Sequence, residues 1–353
     1  MSNARNLANL LGTGTQITTA DIADGAFQAN KNLIINGAMQ VAQRGTVTGV
    51  TSGYGGPDRF VFARSGAAAV DMSQSTDAPS GSGFAKSTKL DVSTADSSLA
   101  AGDYALWAQR FEGLNLQSIK KGSSNAEKLT ASFWIKSSTT GTYILEMFDV
   151  DNTRQVSASY SVSTADTWEH KVITFPADTT GAVDDDNASS LTLTFWLAAG
   201  STFSGGTLNT SWAANTNANR AVGQVNAVDD TANNIYFTGI QLEVGEVATP
   251  FEHRSYGDEL AKCHRYYEKA TGGNTAGMTC DATLNSNYHV PFKHATEMRA
   301  TPTYTWTEWT SSGFPIAATF QQSGKNGVNV FKTCTATGAG RFWLGYVTAD
   351  AEL

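Results

Sequence analysis

The chain has 353 residues, enough for two or three domains of about 100–200 residues each. Its net charge is −8, and charged residues make up 16% against roughly 25% in ordinary globular domains. An acidic chain with no basic cluster beyond Lys120–Lys121 excludes the electrostatic footprint of a nucleic-acid binder. No stretch approaches the ~20 apolar residues of a spanning helix, so no membrane insertion is expected.

Residues 1–30 read as an extended arm. Leu7, Leu10 and Leu11 fall on one side of a short helical pattern that Gly12 and Gly14 end. Segments this short are marginal alone and order against a partner, so the arm is expected to attach the chain to a larger body. The N-terminus lacks the long apolar core of a secretory signal, and three widely spaced cysteines, Cys263, Cys280 and Cys334, fit a reducing compartment.

From Asn32 an apolar run, NLIINGAMQVAQRG, is broken at Gly37 and passes into a glycine-rich loop ending at Pro57. Short alternating runs then recur: Tyr104–Phe111, Leu129–Ile135, Thr142–Phe148, Val156–Val162, His170–Phe175, Leu191–Leu197 and Ile235–Val244. Gly, Asp, Asn and Ser separate them. Period-two runs at this spacing predict an all-β sandwich. One helix is predicted from Tyr256 to Tyr267, capped by Asp258, with Leu260, Cys263 and Tyr267 on one face. Beyond it Tyr288–Phe292, Thr303–Thr307, Ile316–Phe320, Val328–Phe331 and Phe342–Val347 predict a second, smaller β-sandwich.

Two of these runs carry an indole where a solvated face should be polar. Trp134 shares a face with Thr130, Ser132 and Lys136, and Trp196 shares one with Thr192 and Thr194. An outward indole needs a cover: a sugar ring, a neighbouring subunit or another part of the same chain. With Trp107 and Tyr143 nearby in strand order, Trp134 and Trp196 form the candidate ligand-binding or subunit surface.

Oxygen-rich turns at Asp149-Val150-Asp151-Asn152 and Asp184-Asp185-Asp186-Asn187 offer ligands to a hard cation, although neither has the spacing of a helix-loop-helix calcium loop. A polysaccharide depolymerase needs two carboxylates facing each other in a groove, for which Glu112, Glu146, Glu243 and Asp149 are available. No nucleophile motif accompanies them, and the chain is expected not to be an enzyme.

The segments 32–46, 108–149, 168–201 and 237–269 resemble bacteriophage tail-fibre and receptor-binding proteins with a carbohydrate-binding-module-like jelly roll. The closing FWLGYVTADAEL (342–353) is similar to the last strand of phage fibre tips. The resemblance implies four parts: a virion-attachment arm (1–30), a jelly roll (31–250), a linker helix (251–269) and a β tip domain (270–353). It implies a homotrimer in the tail fibre of the virion, assembled in the host cytoplasm, held to other phage proteins by the arm and binding a host surface glycan. Such jelly rolls often hold a structural Ca²⁺, for which Asn36 with Glu243, or Asp149, Asp151, Asp184 and Asp186, are the candidates. A capsid or neck decoration protein with a purely structural role, and a polysaccharide depolymerase, are the alternatives.

Overall fold

The computed structural model describes residues 31–271, 277–283, 285–312, 319–334 and 337–353. The expected arm over 1–30 lies outside them, as does most of the expected strand Ile316–Phe320. In chain order the first strands are β1 (Val47–Val50), β2 (Ser52–Tyr54), β3 (Val61–Ser65), β4 (Ala69–Ser75), β5 (Ser87–Thr94), β6 (Tyr104–Glu112) and β7 (Leu129–Ser137). They continue with β8 (Gly141–Asp149), β9 (Arg154–Val162), β10 (Glu169–Phe175), β11 (Ser189–Ala199), β12 (Ala213–Ala214) and β13 (Asn234–Val244). A one-turn helix, α1 (Ser201–Ser204), follows β11.

These strands make two antiparallel sheets, six-stranded in the order β1-β4-β5-β13-β7-β10 and seven-stranded in the order β12-β9-β8-β11-β6-β3-β2. From β6 to β13 the chain crosses repeatedly between the sheets, which is the winding of a jelly roll. The alternation read from the sequence drives the arrangement. Leu129, Ala131, Phe133 and Ile135 of β7 face Leu191, Leu193, Phe195 and Leu197 of β11 in one core, every one 4% exposed or less. At its centre the Trp107 ring stacks on Phe60 at 4.2 Å and on Phe237 at 5.0 Å. Burying such rings at about 25 cal/mol per Å² of apolar surface is the main favourable term for this unit.

The run from Asn32 to Val41 is not a strand. Asn32 and Asn36 are buried and bond main chain: Asn32 bridges Ile240 O and Leu242 N, while Asn36 holds Val41 and Asp58 O. The segment thereby seals the end of the core with Ile34, Met39 and Val41. Gly37 is required at that seal because a Cβ there would lie 2.0 Å from Ile240 O.

Helix α2 spans Tyr256–His264. Its cap is Ser255, whose Oγ accepts from Asp258 N and donates to Asp258 Oδ2; the expected Asp258 cap is corrected to Ser255. Cys263 and Glu259 are its buried residues. The helix also ends earlier than predicted. Tyr267 already belongs to β14 (Tyr267–Thr271), so residues 267–269 are strand and not linker helix.

The remaining strands are β15 (Gly277–Ala282), β16 (Asn287–Lys293), β17 (Thr303–Ser312), β18 (Thr319–Gly324), β19 (Gly327–Thr333) and β20 (Gly338–Asp350). β20 pairs with β14, β15 and β17, and β19 pairs with β16 and β18. Val290 and Phe292, Val328 and Val330, and Phe342, Leu344 and Val347 share one small core between these two sheets. The chain is therefore all-β: a jelly-roll sandwich, a short helix and a smaller β-sandwich.

The two sandwiches are joined by charge. Arg44 pairs with Asp350 at 3.0 Å and Glu352 at 3.3 Å, and Arg59 pairs with Glu352. Arg299 reaches back to Asn187 O at 2.6 Å while its Nε holds Ala351 O at 2.9 Å.

Candidate functional site

Outward side chains of β3, β6, β11 and β8 floor a groove of about 600 Å³ on the seven-stranded sheet. Register sets the rows: Ala63, Leu106 and Trp196 in one, Val61, Ala108, Thr194 and Glu146 in the next, and Arg110, Thr192 and Phe148 in the third. Phe203 of α1, Asn217 and Arg220 close it from the loop after β11. Tyr104, Phe148 and Phe203 are half-buried and show ring surface, whereas Trp196 is 1% exposed.

Trp196 supports the groove from below. Its indole packs 5.5 Å from the Phe203 ring and 6.4 Å from Tyr104, in a satellite core with Ile144 and Ala221. Its Nε1 donates to Glu146 Oε2 at 2.9 Å, and Arg220 forks onto the same fully buried carboxylate at 2.7 and 2.9 Å. The guanidinium lies 5.0 Å from the Phe148 ring and 5.2 Å from the Trp196 ring. The fork uses Nε and Nη2, so a fixed cation with a spare amino group sits between aromatic walls.

The four-residue aromatic surface expected from the sequence does not form. Trp107 pairs with Phe195, an inward residue, so strand parity places its ring in the main core at 0% exposure. Tyr143 lies on the inward face of β8 with Leu145 and Met147, donates to Thr139 O at 2.8 Å and is also 0% exposed. Trp134 and Trp196 lie on the outer faces of different sheets, on opposite sides of the sandwich. Both indoles do lie off the main core, and for Trp196 the cover is the chain's own loop after β11.

Around Trp134 the six-stranded sheet carries its own rings. Trp134 stands 5.0 Å from His170, and burial lowers the His170 imidazole pKa. Gly239, with φ +61, passes beneath Trp134 and Phe84, where a Cβ would meet their rings at 3.1 and 2.6 Å. Further along, Trp168 and Tyr236 are 6.2 Å apart with Lys136 Nζ 4.3 Å from Tyr236.

The acidic turns are organised by a lysine. Lys121, its side chain 3% exposed, pairs with Asp149 and with Asp178 at 2.9 Å and donates to Gly181 O at 2.8 Å. Its ammonium stands where a bound cation would compete for Asp149. Asp151 accepts from Asp184 N, which ties the two acidic turns to each other, and Asp186 accepts from Ala188 N within its own turn. Asn36 and Glu243 bond different partners: Glu243 accepts from Gln241 Nε2 and from Thr249 N and Oγ1, while the Asn36 side chain holds Val41 and Asp58. Among the described residues no three His, Cys, Asp or Glu side chains converge to hold a metal. Lys121 as an internal counter-ion went unread in the sequence, where Lys120–Lys121 stood out only as a basic pair too small for a nucleic-acid footprint.

A second cavity, of about 250 Å³, opens between the jelly roll and α2. Arg59, Arg110, Arg254, Lys262 and Arg265 line it, with Glu112 as the lining carboxylate. No sequence signal marked it, because its five cations come from four separate segments.

No family model matches the sequence, and no curated protein matches it. Solved structures that it is similar to include the enzymatically active domain of tailspike protein 4 from bacteriophage CBA120, at 13% identity and a TM-score of 0.34. That match covers 61% of this chain and 21% of the tailspike chain. Another is the family 11 carbohydrate-binding module from Clostridium thermocellum in complex with a β-1,3-1,4-mixed-linked tetrasaccharide. It is 11% identical with a TM-score of 0.30, and the match covers 57% of this chain and 99% of the module. Likeness at this level assigns this chain neither ligand nor partner.

Proposed function

We propose that this chain is an attachment protein of a bacteriophage tail fibre and that the groove on its seven-stranded sheet binds a host surface glycan. The observation that carries the glycan part is the groove itself: three half-buried rings, Tyr104, Phe148 and Phe203, stand around a pinned Arg220 with Thr192 and Asn217 beside them. Flat apolar rings suit pyranose faces, and fixed polar groups at their edges suit hydroxyls. A rigid guanidinium loses little freedom on binding, so weak contacts are not spent on ordering. Glu146 suits binding better than glycosidic catalysis, since three hydrogen bonds already occupy both of its oxygens.

The virion part rests on the resemblance of residues 32–269 and 342–353 to phage fibres. In that setting a trimer, anchored through residues 1–30, multiplies weak sugar contacts into avidity. The test is a titration of purified protein with oligosaccharides released from host envelopes, read by calorimetry. Binding by the parent chain and loss of about tenfold or more in Phe148→Ala is the expected result. No binding to any fraction, or equal binding by Phe148→Ala, would sink the groove reading. Immuno-electron microscopy of the particle tests the tail-fibre position separately.

A further inference from the structure

We propose that the basic cavity between the jelly roll and α2 is an oxyanion site that takes the carboxylate or phosphate of a small ligand. It meets the glycan groove at Arg110, which lines both, and does not rest on that reading. Most of its cations already have partners: Arg265 forks onto Glu112 at 2.9 and 2.6 Å, Arg254 meets Glu252 at 3.0 Å and Glu259 at 3.5 Å, and Arg59 pairs with Glu352. Arg110 Nη1 donates to the main-chain oxygen of Leu353. Lys262 is different. Among the described residues it joins none of these pairs; its ammonium is disfavoured first by burial and then by the nearby Arg254 guanidinium, which Glu259, Glu252 and Asp258 offset only in part.

A second observation points the same way. Arg59 is 1% exposed and Arg254 has a side chain 7% exposed, yet the Nε of each is buried without a hydrogen-bond partner. Both line this cavity. Buried N–H donors without acceptors cost about 1–3 kcal/mol each. These two N–H groups are closed off from the cavity's own space, so what an oxyanion there gains is attraction to the guanidiniums they belong to and to the half-buried ammonium. At roughly 30 Å³ per water the cavity holds about eight waters, which is room for a small anion and its solvation. The amide of Asn115 on its wall adds donors that a hydroxylated ligand can use, whereas those of Asn32 and Gln109 are already bonded to Ile240 O and Ile35 O.

The experiment titrates the full chain with inorganic phosphate, glucuronate and glucose, at low salt, by calorimetry. Binding of at least one oxyanion, weakening with salt, and no heat from glucose are expected. Lys262→Gln should lower that affinity about tenfold or more, and Lys262→Arg should restore most of it. Glucuronate preferred over phosphate would assign the source to an acidic sugar, and the reverse to a phosphate ester. No binding of either anion, or unchanged affinity in Lys262→Gln with the fold intact by circular dichroism, overturns the site. Phe148→Ala serves as the control that leaves this binding unaltered.

Discussion

Trp196 Nε1 donates to Glu146 Oε2 at 2.9 Å, so the indole on the outer face of β11 is anchored by a carboxylate on the neighbouring strand β8. Arg220 completes the arrangement from the loop above. Removing the carboxylate in Glu146→Ala leaves a poorly exposed guanidinium and a buried indole N–H without acceptors. The expected loss is about 3–5 kcal/mol in urea unfolding. Arg220→Met in the Glu146→Ala background should recover part of it; strict additivity of the two changes would contradict the coupling.

The two outward indoles should respond differently to the same substitution. Trp196→Asp puts a charge into a closed satellite core and should lower stability by about 3–5 kcal/mol. Trp134→Asp, at a half-buried position beside His170, should cost less than half as much. Thermal melts of the two variants decide it, and equal losses would mean that the loop after β11 does not cover Trp196.

Asp58 provides a pH signature. Burial pushes its carboxyl from an ordinary 3.8 up to about 6, against the opposing bonds from Gln43. A raised carboxyl favours the protonated form in the fold, so its contribution is complete below about pH 3.8 and lost as pH rises through about 6. The stability of the parent chain relative to Asp58→Asn should therefore fall by up to about 3 kcal/mol between about pH 4 and pH 7. A difference independent of pH over this window would refute the assignment.

Gly37→Ala tests the seal formed by residues 32–41. Its Cβ would meet Ile240 O, and Ile240 N donates to Gly37 O at 3.0 Å, so the backbone pair must separate. A loss of about 2 kcal/mol or more is expected by chemical denaturation. A neutral effect would show that this segment is not packed against β13.

The strand pattern was legible because β7 and β11 alternate cleanly, and their inward sets are those found in the core. Parity failed for Trp107: with both faces of β6 rich in apolar residues, alternation does not say which side is inside. The cover over Trp196 was unreadable for another reason. Residues 200–228 have no period, and what they bury depends on Trp196 Nε1 and Arg220 meeting at Glu146, which are 50 and 74 positions away from it. The strands β1 and β2 were hidden in glycine-rich sequence, where pairing across the sheet overrides weak local preference. Lys121 illustrates a last kind of miss, a buried charge whose partners Asp149 and Asp178 lie in separate turns.

The Arg59–Glu352 pair has a bearing on biosynthesis. A guanidinium enclosed in the first sandwich meets its carboxylate only after nearly three hundred further residues have been made, so the emerging polypeptide must carry an unsatisfied cation until then. Ribosome-bound chains arrested before residue 350 should be cleaved by protease within the jelly roll, and released full-length chains should resist. Equal resistance of both would show that the first sandwich matures without waiting for the last residues.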